Sequence, residues 1–298
     1  MSLILFLLTV VLNEPTSHDL YSQIGSERLR INTIQLTLNV RSAAHGSDGE
    51  LLPLDKDGGR IDNFKVWKTP DSIRIDQESR FISVSDDSGA MVPEEPDAMF
   101  ESRLAITNGT FIEYHPRRYK NIGRIAARTG KVESDESVQL RMFDPIMIGT
   151  IPVPHSLWYR TKLSDVVPND STPVVVETVV LKDGTEAQRT KLDRGKCLSF
   201  SFLTVPSKGG SVIESELIRD FSRGGRYRQQ ISVTLEQKSS IWFPQIVRYS
   251  AFRDDNLIGQ EEWQIEDLVL NEPVAGRTFT YEGLEVEDGV PVVAEPAP

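Results

Sequence analysis

The sequence predicts a mainly β fold of the α+β kind, one antiparallel sheet with a few helices covering one face. Three observations predict it. Ile34, Leu36, Leu38 and Val40 alternate strictly with polar residues, which is the period of a half-buried strand. Asn108-Gly109 interrupts an apolar stretch with the pair that supplies positive φ to a type I′ hairpin turn. Other strand-like runs follow one another at hairpin spacing, with little helical periodicity between them.

Composition agrees with that class. A chain of 298 residues fits one large β domain, and its 39% hydrophobic content suffices for a core while pointing to a sheet with one wet face. The net charge of −11 argues against nucleic acid as a partner, because phosphate binding needs a positive footprint. The single Cys197 permits no internal disulfide and reads as a small hydrophobe at the head of a strand over 198–205.

In chain order, residues 1–16 carry the apolar run Ser2-Leu3-Ile4-Leu5-Phe6-Leu7-Leu8-Thr9-Val10-Val11-Leu12, of signal-peptide length and too short for a stable span. It lacks a basic start and an Ala-x-Ala site, and a buried first helix or strand is the other reading. Residues 17–28 fit a short amphipathic helix. Phe64 and Val66, then Ile73 and Ile75, flank Lys68-Thr69-Pro70-Asp71 and predict a hairpin. Residues 81–85 predict a short strand, 86–99 an exposed Pro/Asp/Glu loop, and 104–114 the Asn-Gly hairpin. Residues 117–131 are basic and fit a helix, 138–143 a strand or short helix, and 145–154 a Pro-punctuated apolar loop. Later strands are expected at 173–182, 197–205, 229–237, 241–253 and 261–270, with a helix at 213–221. The domain plan is a signal-like segment at 1–16, one domain at 17–284 and an acidic, Pro-rich tail at 285–298.

Catalytic signatures are missing: there is no Gly-x-Ser-x-Gly, His-Glu-x-x-His, Cys-x-x-Cys or Walker-type loop. His18, His45, His115 and His155 stand singly, without the spacing of a zinc site. Asp55, Asp57 and Asp62 near Gly58-Gly59 lack the pattern of a calcium loop, and Asp254-Asp255-Asn256 reads as a hairpin turn. No metal, no cofactor and no enzymatic activity are expected. The basic set Arg117, Arg118, Lys120, Arg124, Arg128 and Lys131 fits a solvated face or a contact with anionic lipid or an acidic partner.

Three segments together resemble the LolA/LolB-type family of periplasmic lipoprotein carriers and related lipid-binding half-barrels. They are Phe64-Lys65-Val66-Trp67-Lys68-Thr69-Pro70-Asp71-Ser72-Ile73-Arg74-Ile75-Asp76, then Ile106-Thr107-Asn108-Gly109-Thr110-Phe111-Ile112-Glu113-Tyr114-His115-Pro116, and Asn271-Glu272-Pro273 followed by Thr278-Phe279-Thr280 and Gly289-Val290-Pro291-Val292. The order matches, although Asn108 stands where the family has Asp, and residues 121–228 match no part of the pattern. The resemblance implies a strongly curved, open half-barrel whose concave face is apolar and covered by helices. Family carriers latch that lid with an arginine just before the turn proline, donating to backbone carbonyls. Here Thr69 holds the position, with Arg74 or Lys68 as possible substitutes.

On that reading Trp67, Phe111, Trp242 and Trp263 line an apolar groove, and Thr69 and Arg74 form the lid or latch. Large aromatics on strands also simply fill cores, so both roles stay open. The implied function is an envelope carrier for lipid or an acylated lipoprotein, periplasmic or secreted, monomeric, not an integral membrane protein and with an envelope partner protein. The alternatives are a structural or interaction protein with a filled core, and an enzyme with an unrecognised site.

Overall fold

The structure, a computed structural model, describes residues 27–43, 51, 59–84, 91–93, 99–117, 127–134, 136–139, 143–155, 174–193, 197–221 and 224–294. Its strands are β1 Ile34–Ser42, β2 Gly59–Lys68, β3 Ser72–Val84, β4 Met91–Pro93, β5 Met99–Thr107, β6 Thr110–Arg117, β7 Ala127–Lys131, β8 Val174–Val180, β9 Glu186–Asp193, β10 Leu198–Val205, β11 Ser211–Asp220, β12 Arg226–Lys238, β13 Ile241–Arg253, β14 Asn256–Leu270 and β15 Val292–Ala294. They form one large curved sheet in the order β15-β7-β6-β5-β3-β2-β1-β14-β13-β12-β11-β10-β9-β8, with β4 beside β3. The path does not close. Every pair is antiparallel except β15 with β7.

Local chemistry explains the hairpins. Asn108 and Gly109 both take positive φ between β5 and β6, as do Ser239-Ser240 before β13 and Asp254-Asp255 before β14. Two successive residues with positive φ give the type I′ turn, whose twist matches that of the flanking strands. Between β2 and β3, the Thr69 hydroxyl accepts the Ser72 N–H at 3.1 Å, so Thr69 shapes the turn.

The predicted helical cover is corrected. Among the described residues no helix exceeds the single turns Glu136–Gln139 and Gly276–Phe279, and the sheet's apolar face is covered instead by a largely irregular segment, residues 143–155. Its one helical turn is the 3-10 segment Pro145–Met147, which Pro145 opens, and Gly149, Pro152 and Pro154 keep that turn from extending. The predicted helix at 213–221 is strand β11, where Val212 and Leu217 enter one core, Ile213 packs against a cluster on the other face and Glu214, Arg219 and Asp220 are exposed. Residues 127–131 of the predicted basic helix are β7; residues 118–126 lie outside the described residues, as do 1–26, including the signal-like segment. The strand expected at 81–85 is the end of the longer β3, β4 interrupts the loop expected at 86–99, and β9 had no counterpart in the reading. Cys197 is exposed rather than packed.

The main core lies on one face of the central strands. Leu36, Leu38 and Val40 of β1, Phe64 and Val66 of β2, Phe243, Val247 and Tyr249 of β13 and Trp263 of β14 meet there. We call this the inner face. The opposite face carries a smaller cluster of Ala105, Phe279 and Leu284 with Trp67 and Ile112, formed where the chain after β14 turns back over the sheet.

Candidate functional site

The segment 143–155 runs across the inner face as a strap. Ile148 is buried in the central core with Phe143 and Ile146 packed beside it, and Ile151 and Val153 enter a second core with Leu192, Phe200, Phe202 and Leu217. Its backbone bonds are local: Met147 to Asp144, Ile148 to Pro145, Thr150 to Met147 and Val153 to Ile151. Gly149 allows the close crossing. Its φ is +73°, and an added Cβ would lie 3.1 Å from Val247 and 3.2 Å from Pro244.

Polar pins hold the strap at three places. At its start Lys68 Nζ meets Asp144 at 2.7 Å in an exposed ion pair. In the middle Arg28, almost wholly buried, donates from Nη1 to the carbonyls of Ile146 at 3.1 Å and Ile148 at 2.8 Å and to the Thr150 hydroxyl at 3.3 Å. Its guanidinium stacks 5.3 Å over the Phe243 ring.

At the end, His155 sits between two buried carboxylates. Nε2 lies 3.0 Å from Asp62 of β2 and Nδ1 lies 3.1 Å from Glu261 of β14. The His155 backbone N–H donates to Glu261 at 2.9 Å, as does the Trp263 indole at 2.8 Å. Asp62 also accepts from the Ser79 hydroxyl and meets Arg60 Nε at 2.6 Å. Burial opposes charge on His155, but its contacts with Asp62 and Glu261 outweigh that and raise its pKa to about 9. Burial likewise pushes Asp62 up, yet His155, Ser79 and Arg60 overcome it and bring the pKa down to about 2. The cluster is therefore charged at neutral pH and internally compensated.

This arrangement anchors the end of the strap to β2 and β14. Both imidazole nitrogens face carboxylates, and no described group of three His, Cys, Asp or Glu side chains converges on a common metal position. Sequence reading missed the trio because its members lie on two distant strands and a loop, joined only when β2, β1 and β14 pair. A strand-face aspartate flanked by apolar residues, Ile61-Asp62-Asn63-Phe64, was the one available signal.

The residues expected at a groove do not converge. Trp263 is fully buried in the central core, 6.4 Å from the Tyr249 ring and nearly parallel to it. Phe111 is fully buried in a separate cluster with Leu104, Ile106 and Val138. Trp67 lies half-buried on the opposite face, with the Arg74 guanidinium 4.6 Å over its ring. Trp242 is half-buried beneath Lys208, and its backbone N–H donates to the Glu27 carboxylate at 3.3 Å. Arg74 donates to the carbonyls of Thr278 at 3.2 Å and of Gly283, and pairs with Asp76. A cavity of about 550 Å3 opens on the face away from the strap, lined by polar groups such as Arg189, Lys191, Glu214, Gln230, Arg248 and Gln260. No helix among the described residues is long and apolar enough to cross a membrane.

No protein-family profile matches the chain, and no curated protein matches it. Among solved structures, it is similar to a LolA superfamily protein from Nitrosomonas europaea, with 8% identity over 90% of this chain and 99% of that one and a TM-score of 0.44. A DUF1329 family protein from Desulfovibrio piger gives 12% identity, 91% and 99% coverage and a TM-score of 0.43. A domain described as that of an outer membrane lipoprotein-sorting protein from Vibrio parahaemolyticus gives 9%, 87% and 96%, and 0.42. At such identities and scores the likeness concerns the course of the backbone and carries no function.

Proposed function

We propose that the protein binds acyl chains of a lipid or an acylated lipoprotein on the inner face of the sheet, in the cell envelope, and that the strap 143–155 yields its place to them. The supporting observation is the strap itself, an irregular cover that meets the sheet through apolar side chains and discrete polar pins rather than as another strand. Its four buried or packed aliphatic anchors, Ile146, Ile148, Ile151 and Val153, contribute about 1.5–3 kcal/mol each, so roughly 6–12 kcal/mol in all. An acyl chain gains about 0.8 kcal/mol per buried methylene, so ten methylenes offer roughly 8 kcal/mol. The exchange is near balance, as reversible loading and release require. Trp263, in the central core with Ile148 of the strap, becomes a ligand contact only when that exchange occurs, and Phe111 only where the acyl chain reaches on into its separate cluster.

Native mass spectrometry with and without added fatty acid or phospholipid tests this. The sample combines Cys197→Ser with a disulfide between Gly149→Cys and Val247→Cys. Uptake of acyl mass by the reduced protein, lost on oxidation and regained on reduction, is the expected result. Equal uptake in both states would show that the strap does not move. An apo mass across all lipids would favour a second reading, an interaction protein with a filled core, to which the complete burial of Trp263 and Phe111 already lends support.

A further inference from the structure

Arg28 is a buried cation with no counter-ion among the described residues. Its residue is 3% exposed, and among the described residues no carboxylate pairs with it. Nη1 is satisfied by the two strap carbonyls and the Thr150 hydroxyl, whereas Nε and Nη2 are buried and have no hydrogen-bond partner among the described residues. Such an arrangement is costly, because a buried donor left unmade forfeits its full solvation and a buried charge needs compensation. The other buried ionic groups on this face are all compensated: His155 by Asp62 and Glu261, and Glu113 by Arg128 and His115.

The two vacant donors are not a random pair. Nε–H and Nη2–H point from the same edge of the guanidinium, nearly parallel, and that edge matches the two oxygens of a carboxylate or phosphate. The guanidinium lies over the Phe243 ring of the inner core and against the strap carbonyls it binds. An oxyanion carried there needs an apolar body to follow it.

We propose that Arg28 is the head-group receptor of this site, taking the carboxylate or phosphate of an anionic, single-chain amphiphile on its Nε/Nη2 edge. The inference rests on the acyl-binding reading above and narrows it to a ligand class. Neutral and cationic amphiphiles fill the same apolar surface but leave the guanidinium uncompensated. Binding of an anion also competes for the charge that now holds the carbonyls of Ile146 and Ile148, so the ligand head itself loosens the strap's central pin.

The test compares laurate, dodecyl phosphate and 1-dodecanol, below their aggregation concentrations, by titration calorimetry on the wild-type chain and on Arg28→Lys and Arg28→Met. The expected result is that wild type prefers both anions over dodecanol by about tenfold or more, equivalent to about 1.4 kcal/mol. Arg28→Met loses the preference while still binding dodecanol, and Arg28→Lys keeps part of it. Preference for laurate alone identifies a carboxylate ligand, and preference for dodecyl phosphate alone a phosphate one. Equal binding of all three by wild type, or an undiminished preference in Arg28→Met, overturns the role of Arg28 while leaving acyl binding in place. Binding of none of them overturns both. Because Arg28→Met removes a buried contact, circular dichroism of each variant accompanies the titration; if Arg28→Met fails to fold, the Arg28→Lys comparison decides alone.

Discussion

Two irregular segments cover the two faces of this sheet, and they are held in opposite ways. The strap 143–155 lies on the inner face, and the chain after β14, residues 272–291, lies on the other. Both are tied by arginines that donate to backbone carbonyls: Arg28 to Ile146 and Ile148, Arg74 to Thr278 and Gly283, Arg103 to Leu284. On the C-terminal side each arginine has its own carboxylate, Asp76 for Arg74 and Glu101 and Glu285 for Arg103, and β15 then joins the sheet beside β7. On the strap side Arg28 has none among the described residues, and the compensated charges sit at the far end, around His155. The C-terminal segment is thus fastened as structure. The strap is fastened strongly at one end and with an unmet demand in its middle, which is the asymmetry a displaceable cover needs.

The largest contrast is expected from removing one carboxylate on each side. Asp62→Asn leaves His155 and Arg60 facing a neutral amide in a buried site and should cost about 3 kcal/mol, since breaking a buried pair strands its partner. Asp76→Asn acts on a largely buried pair whose carboxylate still reaches water and whose Arg74 keeps two carbonyl acceptors, and should cost less, about 1–2 kcal/mol. Urea unfolding of both variants measures the difference, and equal losses would mean that the two covers are fastened alike.

The pH dependence should follow the strap side. His155 is raised from 6.5 to about 9, so its contribution is fully present below about pH 6.5 and is lost as pH rises through 9. The rise corresponds to about 3 kcal/mol. Asp62, lowered from 3.8 to about 2, adds stability present above pH 3.8 and lost as pH falls through 2. These describe one coupled cluster and are not summed. Stability measured at pH 6 and at pH 10 should fall in wild type and stay nearly flat in His155→Gln; a wild-type protein equally stable at both would refute the charged cluster.

Two glycines sharpen the comparison at smaller cost. Gly283→Ala would put a Cβ 2.1 Å from the Arg277 carbonyl oxygen, so the C-terminal turn must shift. Gly149→Ala meets only side chains, at 3.1–3.3 Å, but at a φ of +73° that alanine tolerates at about 1 kcal/mol or somewhat more. Hydrogen exchange should show faster opening of 276–290 in the first variant and of 143–155 in the second. Opening of both segments in either variant would make the covers one cooperative unit.

Much of the sheet was legible in the sequence and little of the site. Strands β1, β2, β13 and β14 announce themselves by alternation, and the Asn108-Gly109 and Asp254-Asp255 turns by residues that accept positive φ. Residues 213–221 misled because Ile213, Leu217 and Ile218 also fit a helical stripe, and only pairing with β10 and β12 decides between the two periods. The strap was legible as a Pro-punctuated apolar loop but not as the cover of the core. Arg28 and His155 were invisible as a pair of fasteners, because one lies 118 to 122 residues from its acceptors and the other 106 residues from Glu261. Nothing local in a sequence encodes a contact of that range.

The smallest effect is expected at the strap's first pin. Lys68 and Asp144 form a short ion pair, yet Asp144 is nearly half exposed, so solvent screens the attraction and ordering a lysine offsets much of what remains. Lys68→Ala should therefore change stability by less than about 0.5 kcal/mol. Asp144 keeps its other role in that variant, accepting the Ile146 N–H at 3.1 Å to start the turn at Pro145. The variant is informative because it separates position from charge. If the strap is seated by Phe143, Ile146 and Ile148 against the central core, losing Lys68 leaves hydrogen exchange of 143–150 unchanged. A loss above 1.5 kcal/mol, well beyond what an exposed pair contributes, would place the strap's hold in its entrance rather than at Arg28 and His155, and the two covers would then differ in degree alone.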